Sequence, residues 1–161
     1  MVALVNEVQG LVTVERHLFS LVGVEAVSTP EDADWIPWQP SPQEPGFLYV
    51  ESAGEDHDAQ VILQMWDGEP ARDASSWETA ADLAVVVSGD SVQLATLTGG
   101  PAEMDDLSVD TGTYHLRACC RGRRAIADIL SRDLSGSDDD SAADEWPEGV
   151  EVYLFQFWPR V

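Results

Sequence analysis
Apolar residues in this chain recur at every second position, and no other feature limits its fold as tightly. Over residues 113–120 the alternation is strict: Tyr114, Leu116, Ala118 and Cys120 fall on one face, and Thr113, His115, Arg117 and Cys119 on the other. A period of two belongs to an extended strand with one face in a core, so the first set is expected inside and the second toward solvent. The same reading marks strands over 11–14, 18–22, 47–50, 60–66, 83–87, 91–97, 107–109 and 150–158. Turn signals separate them: Arg16-His17, Asp67-Gly68, Ser88-Gly89-Asp90 (read as a hairpin turn) and Asp110-Thr111-Gly112. The last strand is apolar on both faces over its second half, as in a strand covered on both sides. The expected fold class is all-β, a mainly antiparallel β-sandwich of about eight to nine strands, with a partly closed barrel as the variant. Residues 125–134 carry Ile126, Ile129, Leu130 and Leu134 at helical spacing, so one short helix there is the other reading of that segment.

A chain of 161 residues suits a single domain with enough buried surface to need no metal or disulfide. Two stretches break the strand pattern. Residues 24–46 hold Pro30, Pro37, Pro40, Pro42 and Pro45 beside Glu31, Asp32 and Asp34, and are expected to form an extended acidic loop, because proline lacks a ladder donor. Residues 135–148 are rich in aspartate and serine and read as a second acidic loop.

The charge is lopsided: 30 acidic against 8 basic residues, a formal net charge of −22, and every basic residue is arginine. Nucleic-acid binding is disfavoured, since a basic footprint is what displaces counterions from phosphates. An anionic membrane surface repels such a chain too, and no apolar run is long enough to span a bilayer. The first basic residue, Arg16, follows Glu7 and Glu15, so no secretory leader is expected. Cys119 and Cys120 are neighbours whose side chains point to opposite faces of a strand, which disfavours a disulfide and fits a reducing cytoplasm.

Little in the sequence points to catalysis. His17, His57 and His115 stand at no metal-ligand spacing, and Asp56-His57-Asp58 reads as a solvated turn. His115 and Cys119 share a strand face but lie roughly 13 Å apart, too far for a thiol–imidazole pair. Residues 133–144 place oxygen donors as a calcium loop does, but Asp138 stands where glycine is required and Asp144 where a bidentate glutamate closes the site. No phosphate-cradling loop, nucleophile elbow or dinucleotide fingerprint occurs. The expectation is a non-enzyme with no cofactor and no metal.

Three segments carry a family resemblance: Thr111-Gly-Thr-Tyr-His-Leu-Arg117, Arg121-Gly-Arg123 and Tyr153-Leu-Phe-Gln-Phe-Trp-Pro159. Over residues 47–160 they resemble a group of small proteins from GC-rich bacteria, similar in layout to the ComJ-like inhibitors of a competence nuclease. The chain departs from that pattern at His115, where arginine is usual, and by the acidic insertion between Arg124 and Val150. The resemblance implies a β-sandwich and a protein partner. Carboxylates spaced on a rigid scaffold can stand in for phosphates before a cationic groove and steer association, while buried aromatic anchors supply affinity. The expected function is an immunity-type inhibitor of a basic partner such as a nuclease toxin, with contacts from Trp35, Trp38, Asp138, Asp139, Asp140, Asp144, Glu145 and Trp146. The alternative is a structural or small-ligand-binding sandwich whose acidity serves solubility or salt adaptation. The sequence leaves the oligomeric state open.

Overall fold
The computed structural model describes residues 2–28, 35, 37, 46–73, 76–97, 102, 104–134 and 147–160. They form ten strands and one helix: β1 Leu4–Val14, β2 Leu18–Val22, β3 Val24–Ser28, β4 Phe47–Glu51, β5 His57–Trp66, β6 Thr79–Val87, β7 Ser91–Thr96, β8 Leu107–Ser108, β9 Gly112–Arg121, α1 Arg123–Leu134 and β10 Glu148–Pro159. A six-stranded sheet runs β1-β5-β10-β9-β6-β3 and a four-stranded sheet β4-β2-β7-β8. Among the described strands every pairing is antiparallel except β5 with β10. The all-β sandwich expected from the period of two is therefore what the chain forms, and residues 125–134 lie in its helix. The first five residues of the proline-rich stretch make β3, an edge strand, before the prolines begin.

The core lies between the two sheets. From β10 come Tyr153, Phe155 and Phe157, from β2 Phe19 and Leu21, from β9 Leu116 and Ala118, and from β5 Ala59, Val61 and Leu63, all with no exposed surface. Each large side chain so buried contributes about 1.5–3 kcal/mol of transfer free energy. Phe19 meets Tyr153 edge-on with ring centroids 5.0 Å apart, a favoured aromatic geometry. Tyr114 packs its ring inward and donates its hydroxyl to the Asp110 carbonyl at 2.8 Å.

Three sequence expectations change. Ser88-Gly89-Asp90 is not a hairpin turn: β6 and β7 belong to different sheets and already have two strand partners each, so the segment is a corner between layers. Arg117 and Cys119 do not face solvent; they are 2% and 4% exposed. The segment Glu69–Pro70 crosses that outer face, and Arg117 holds it by bonds to Glu69 Oε1 (2.9 Å), the Pro70 carbonyl (2.8 Å) and Asp82 on β6 (3.2 Å). The Trp158 ring lies beneath its guanidinium. His57 is not on a solvated turn; it opens β5, on the inward face with Ala59 and Val61, and is fully buried.

Candidate functional site
The inward face of β10 carries one charged residue. Glu151 shares the face of Tyr153, Phe155 and Phe157 and has no exposed surface. A buried carboxylate needs donors on its oxygens, or it costs several kcal/mol. Here Ser52 Oγ (2.5 Å) and Tyr153 Oη (2.6 Å) donate to Oε1, and the Ala53 amide (3.0 Å) donates to Oε2. Arg123, the first residue of α1, brings its Nη1 to 3.7 Å from Oε2. That guanidinium also bonds the Glu51 carbonyl at 3.0 Å and lies over the Trp35 ring.

Ser52 and His57 complete the network. Ser52 Oγ accepts the Gly54 amide at 3.0 Å and lies 2.8 Å from His57 Nε2. The single hydroxyl proton goes to Glu151, which assigns a proton to His57 Nε2 and leaves Nδ1 as a bare acceptor. Nδ1 has no hydrogen-bond partner among the described residues. This is not the relay of a serine hydrolase, in which the acid holds Nδ1 while serine meets Nε2. Ser52 and Glu151 both approach Nε2, and Ser52, His57 and Glu151 are each no more than 1% exposed. The network positions backbone. It fixes the turn from Ser52 to His57 between β4 and β5, with Gly54 so close that a Cβ there would lie 2.7 Å from His57 Cδ2 and 2.8 Å from Ile126 of α1.

Burial pushes the His57 pKa below its ordinary 6.5, with Glu151 and the Asp58 backbone pulling partly the other way. The unfolded chain takes up this proton near pH 6.5, while the folded chain resists it until lower pH. Stability is therefore level above that value and falls as pH drops from there toward the lowered pKa. Urea midpoints measured against pH for the wild type minus a His57→Gln variant isolate this slope from the titration of surface acids. A difference that stays flat through the same window rules out a neutral buried His57.

The turn held from beneath is acidic on its outside. Glu55 and Asp56 are exposed, and the adjoining Asp58 accepts from Thr13 Oγ1 at 2.8 Å. The same corner anchors the end of the second acidic loop: the Asp58 amide donates to the Pro147 carbonyl at 2.9 Å, and Glu148 pairs with Asp58 in the parallel register. The hairpin turn at Arg16-His17, both in the left-handed region, is laced to it through His17 N to the Glu55 carbonyl (3.0 Å) and Ser52 N to the His17 carbonyl (2.6 Å). Four carboxylates, Glu55, Asp56, Asp58 and Glu148, thus lie around the point where the chain leaves its second acidic loop.

Of the partner-contact residues expected from sequence, Trp35 is 6% exposed: its indole donates to the Glu51 carbonyl at 2.8 Å and its ring packs 5.6 Å from that of Tyr153. Trp38, Asp138, Asp139, Asp140, Asp144, Glu145 and Trp146 lie outside the described residues, as does most of the calcium-like stretch.

With this geometry in place, comparison with known proteins is informative on one level, the fold. ComJ from Bacillus subtilis, described as an inhibitor of the DNA-degrading activity of NucA, superposes with a TM-score of 0.52 over 99% of both chains at 14% identity. The protein of crocagin biosynthetic gene J superposes with a TM-score of 0.55 over 97% of this chain and 98% of its own at 13% identity. The chain shares their fold. No family model and no curated protein matches the sequence.

One groove opens beside the covered face of the six-stranded sheet. It measures about 220 Å³ and is bounded by Arg72, Trp77, Ala80, Cys119, Leu154 and Gln156 among others. That is below the ~300–1,000 Å³ typical of small-molecule sites. Burial lifts the Cys119 thiol to about 11, which leaves it a poor nucleophile near neutral pH. No helix among the described residues is long and apolar enough to cross a membrane, and no three metal-binding side chains gather there.

Proposed function
We propose that this chain is a non-catalytic, immunity-type inhibitor that binds a basic protein, of the nuclease or toxin class, through its acidic corner and the loop it anchors. The observation that carries the reading is the placement of Glu55, Asp56, Asp58 and Glu148 at the root of a loop holding Asp138, Asp139, Asp140, Asp144 and Glu145. A rigid acidic turn beside an acidic loop concentrates negative potential, which raises the on-rate for a cationic surface by orders of magnitude at low salt. Arg117, Arg72 and Arg123 are paired within the fold and do not dilute it, while Arg16, exposed on the adjoining hairpin turn, offsets part of the charge. The shared fold with a nuclease inhibitor supports the same reading. Trp38 and Trp146 are proposed as apolar anchors. Trp35 is proposed to act from within, bracing Arg123 beneath the corner. The proposed site of action is the cytoplasm of the cell it protects.

The test is capture of partners from native lysate at low and high salt, with a variant carrying Asp138→Arg, Asp139→Arg and Asp140→Arg. The expected result is a basic protein retained at low salt, released as salt rises, and associating at least about tenfold more slowly with the variant, whose melting temperature is unchanged. Equal association by both forms removes the loop from the interface. A second reading has its own observation: Asp90 and Asp110 stand exposed at the opposite end of the sandwich, as acidity serving solubility requires. On that reading no cationic partner is retained at any salt concentration.

A further inference from the structure
The strand β1 ends the six-stranded sheet, and among the described residues only β5 pairs with it. Its free side is a row of backbone donors and acceptors along 11 residues. Natural edges of this length are blunted with lysine, proline, several charges, a covering segment or a bulge, and of these devices β1 shows among the described residues the bulge at its start. In β1 there is no lysine or proline, and Glu7 is its one charged residue in a chain that is 24% charged. Even Glu7 is turned along the sheet, where Gln64 on β5 donates to its Oε2 at 2.7 Å. Three of the large apolar residues that remain exposed lie at this edge: Val2 at 42%, Leu4 at 42% and Val5 at 63%. They are held in line, because Ala3 exchanges bonds with Asp67 through its amide (2.7 Å) and its carbonyl (3.1 Å). A register shift between Leu4 and Asn6 leaves Val5 without an opposite residue on β5 and directs it outward.

We infer that β1 is a self-pairing edge, and that its occupant is the β1 strand of a second copy of this chain, antiparallel across a two-fold axis. Charge decides between occupants. A basic partner has its complement at the acidic corner, at the Val14 end of β1, whereas the edge itself offers a cation almost nothing. A second copy meets an apolar, nearly uncharged strand identical to itself, and an isologous contact closes after two subunits. Antiparallel pairing sends the two acidic corners to opposite ends of the paired strands, roughly 30 Å apart, well beyond the ~8 Å screening length at physiological salt. Both corners stay open, so the dimer does not depend on the proposed partner.

The two contacts have opposite salt dependence, which separates their tests. Sedimentation equilibrium on the full chain, from micromolar to millimolar and from low salt to about 1 M, should show a monomer–dimer equilibrium that tightens with salt as self-repulsion is screened. Val5→Lys should weaken dimerisation about tenfold or more, and Val5→Thr, which keeps strand preference, by much less. Both variants should keep the wild-type melting temperature at concentrations where the wild type is monomeric, since Val5 faces outward. Amides of residues 6–11 should gain exchange protection as concentration rises. A chain that stays monomeric throughout, or a dimer indifferent to Val5→Lys, overturns the inference and leaves the acidic-corner proposal untouched.

Discussion

Replacing Glu151 with alanine should lower stability by about 3–5 kcal/mol, a large share of the 5–15 kcal/mol available to a domain of this size. The carboxylate is the one acceptor shared by the Ser52 hydroxyl, the Tyr153 hydroxyl and the Ala53 amide, and the nearest anion to Arg123. Alanine removes all of this at once. It strands the Ser52 hydroxyl and the Ala53 amide and leaves the Tyr153 hydroxyl only its 3.5 Å contact with the Glu51 carbonyl, and an uncompensated buried donor costs about 1–3 kcal/mol. Tyr153→Phe loses one hydroxyl of the same network and should cost only about 0.5–1.5 kcal/mol. Glu151→Gln keeps volume and one acceptor oxygen, but turns an amide donor toward groups that also donate, so it should fall between the two. Urea midpoints with unchanged slope give the ranking. A loss below ~1 kcal/mol for Glu151→Ala would mean that the turn from Ser52 to His57 is held by packing alone. The functional consequence is local: once that turn loosens, Glu55 and Asp56 no longer sit in fixed positions, and amides of Ala53 and Gly54 should exchange faster than the rest of the core.

The network was legible in the sequence, in a place where only alternation reveals it. Counting by two back from Phe157 through Phe155 and Tyr153 lands on Glu151, and counting back from Leu63 through Val61 and Ala59 lands on His57. A charged or titratable residue on an apolar face announces a buried partner. Reading Asp56-His57-Asp58 by its neighbours instead of its period hides this, because the flanking aspartates make the trio look solvated. What alternation cannot show is which strands a given strand meets. Thr113 to Cys120 alternates cleanly, yet Arg117 and Cys119 on its polar face are buried, and over Arg117 this is because the Glu69–Pro70 segment, distant in sequence, crosses it. Likewise Ser88-Gly89-Asp90 has hairpin composition, but β6 and β7 find partners in separate sheets. Local chemistry set the strands and turns of this fold; long-range pairing set the corner and the strap. The acidity was plain from composition, while its gathering of Glu55, Asp56, Asp58 and Glu148 needed the parallel pairing of β5 with β10, which joins residues about ninety positions apart.

Gly122→Ala should be as damaging as the loss of Glu151, for a reason that lies in the backbone. Gly122 links β9 to α1 with φ at +82°, and its carbonyl accepts the Ile126 amide at 3.0 Å to start the helix. Its amide donates to Glu78 at 2.8 Å, so the residue is bonded on both sides and cannot easily rotate away. A Cβ there would lie 2.0 Å from the Val150 carbonyl oxygen and 3.0 Å from the Glu151 Cα. No side-chain rotation relieves a contact with backbone. Either β10 moves off at Val150, dragging Glu151 out of its donors, or α1 unwinds its first turn and releases Arg123. The left-handed conformation alone costs alanine roughly 1–2 kcal/mol, and the collision should carry the total past ~3 kcal/mol. Gly149 separates the two contributions. Its φ is +68°, equally left-handed, but nothing lies within 4 Å of a Cβ built there. Gly149→Ala should therefore cost the conformational penalty and little else. The stability losses read from urea midpoints should differ between the two variants by about 1 kcal/mol or more; equal losses would show that β10 is free to shift at Val150 and that the corner above Glu151 is not rigid. In that event the acids at the corner would have to be positioned by the partner on binding, and the rate advantage claimed for a preset charge pattern would shrink accordingly.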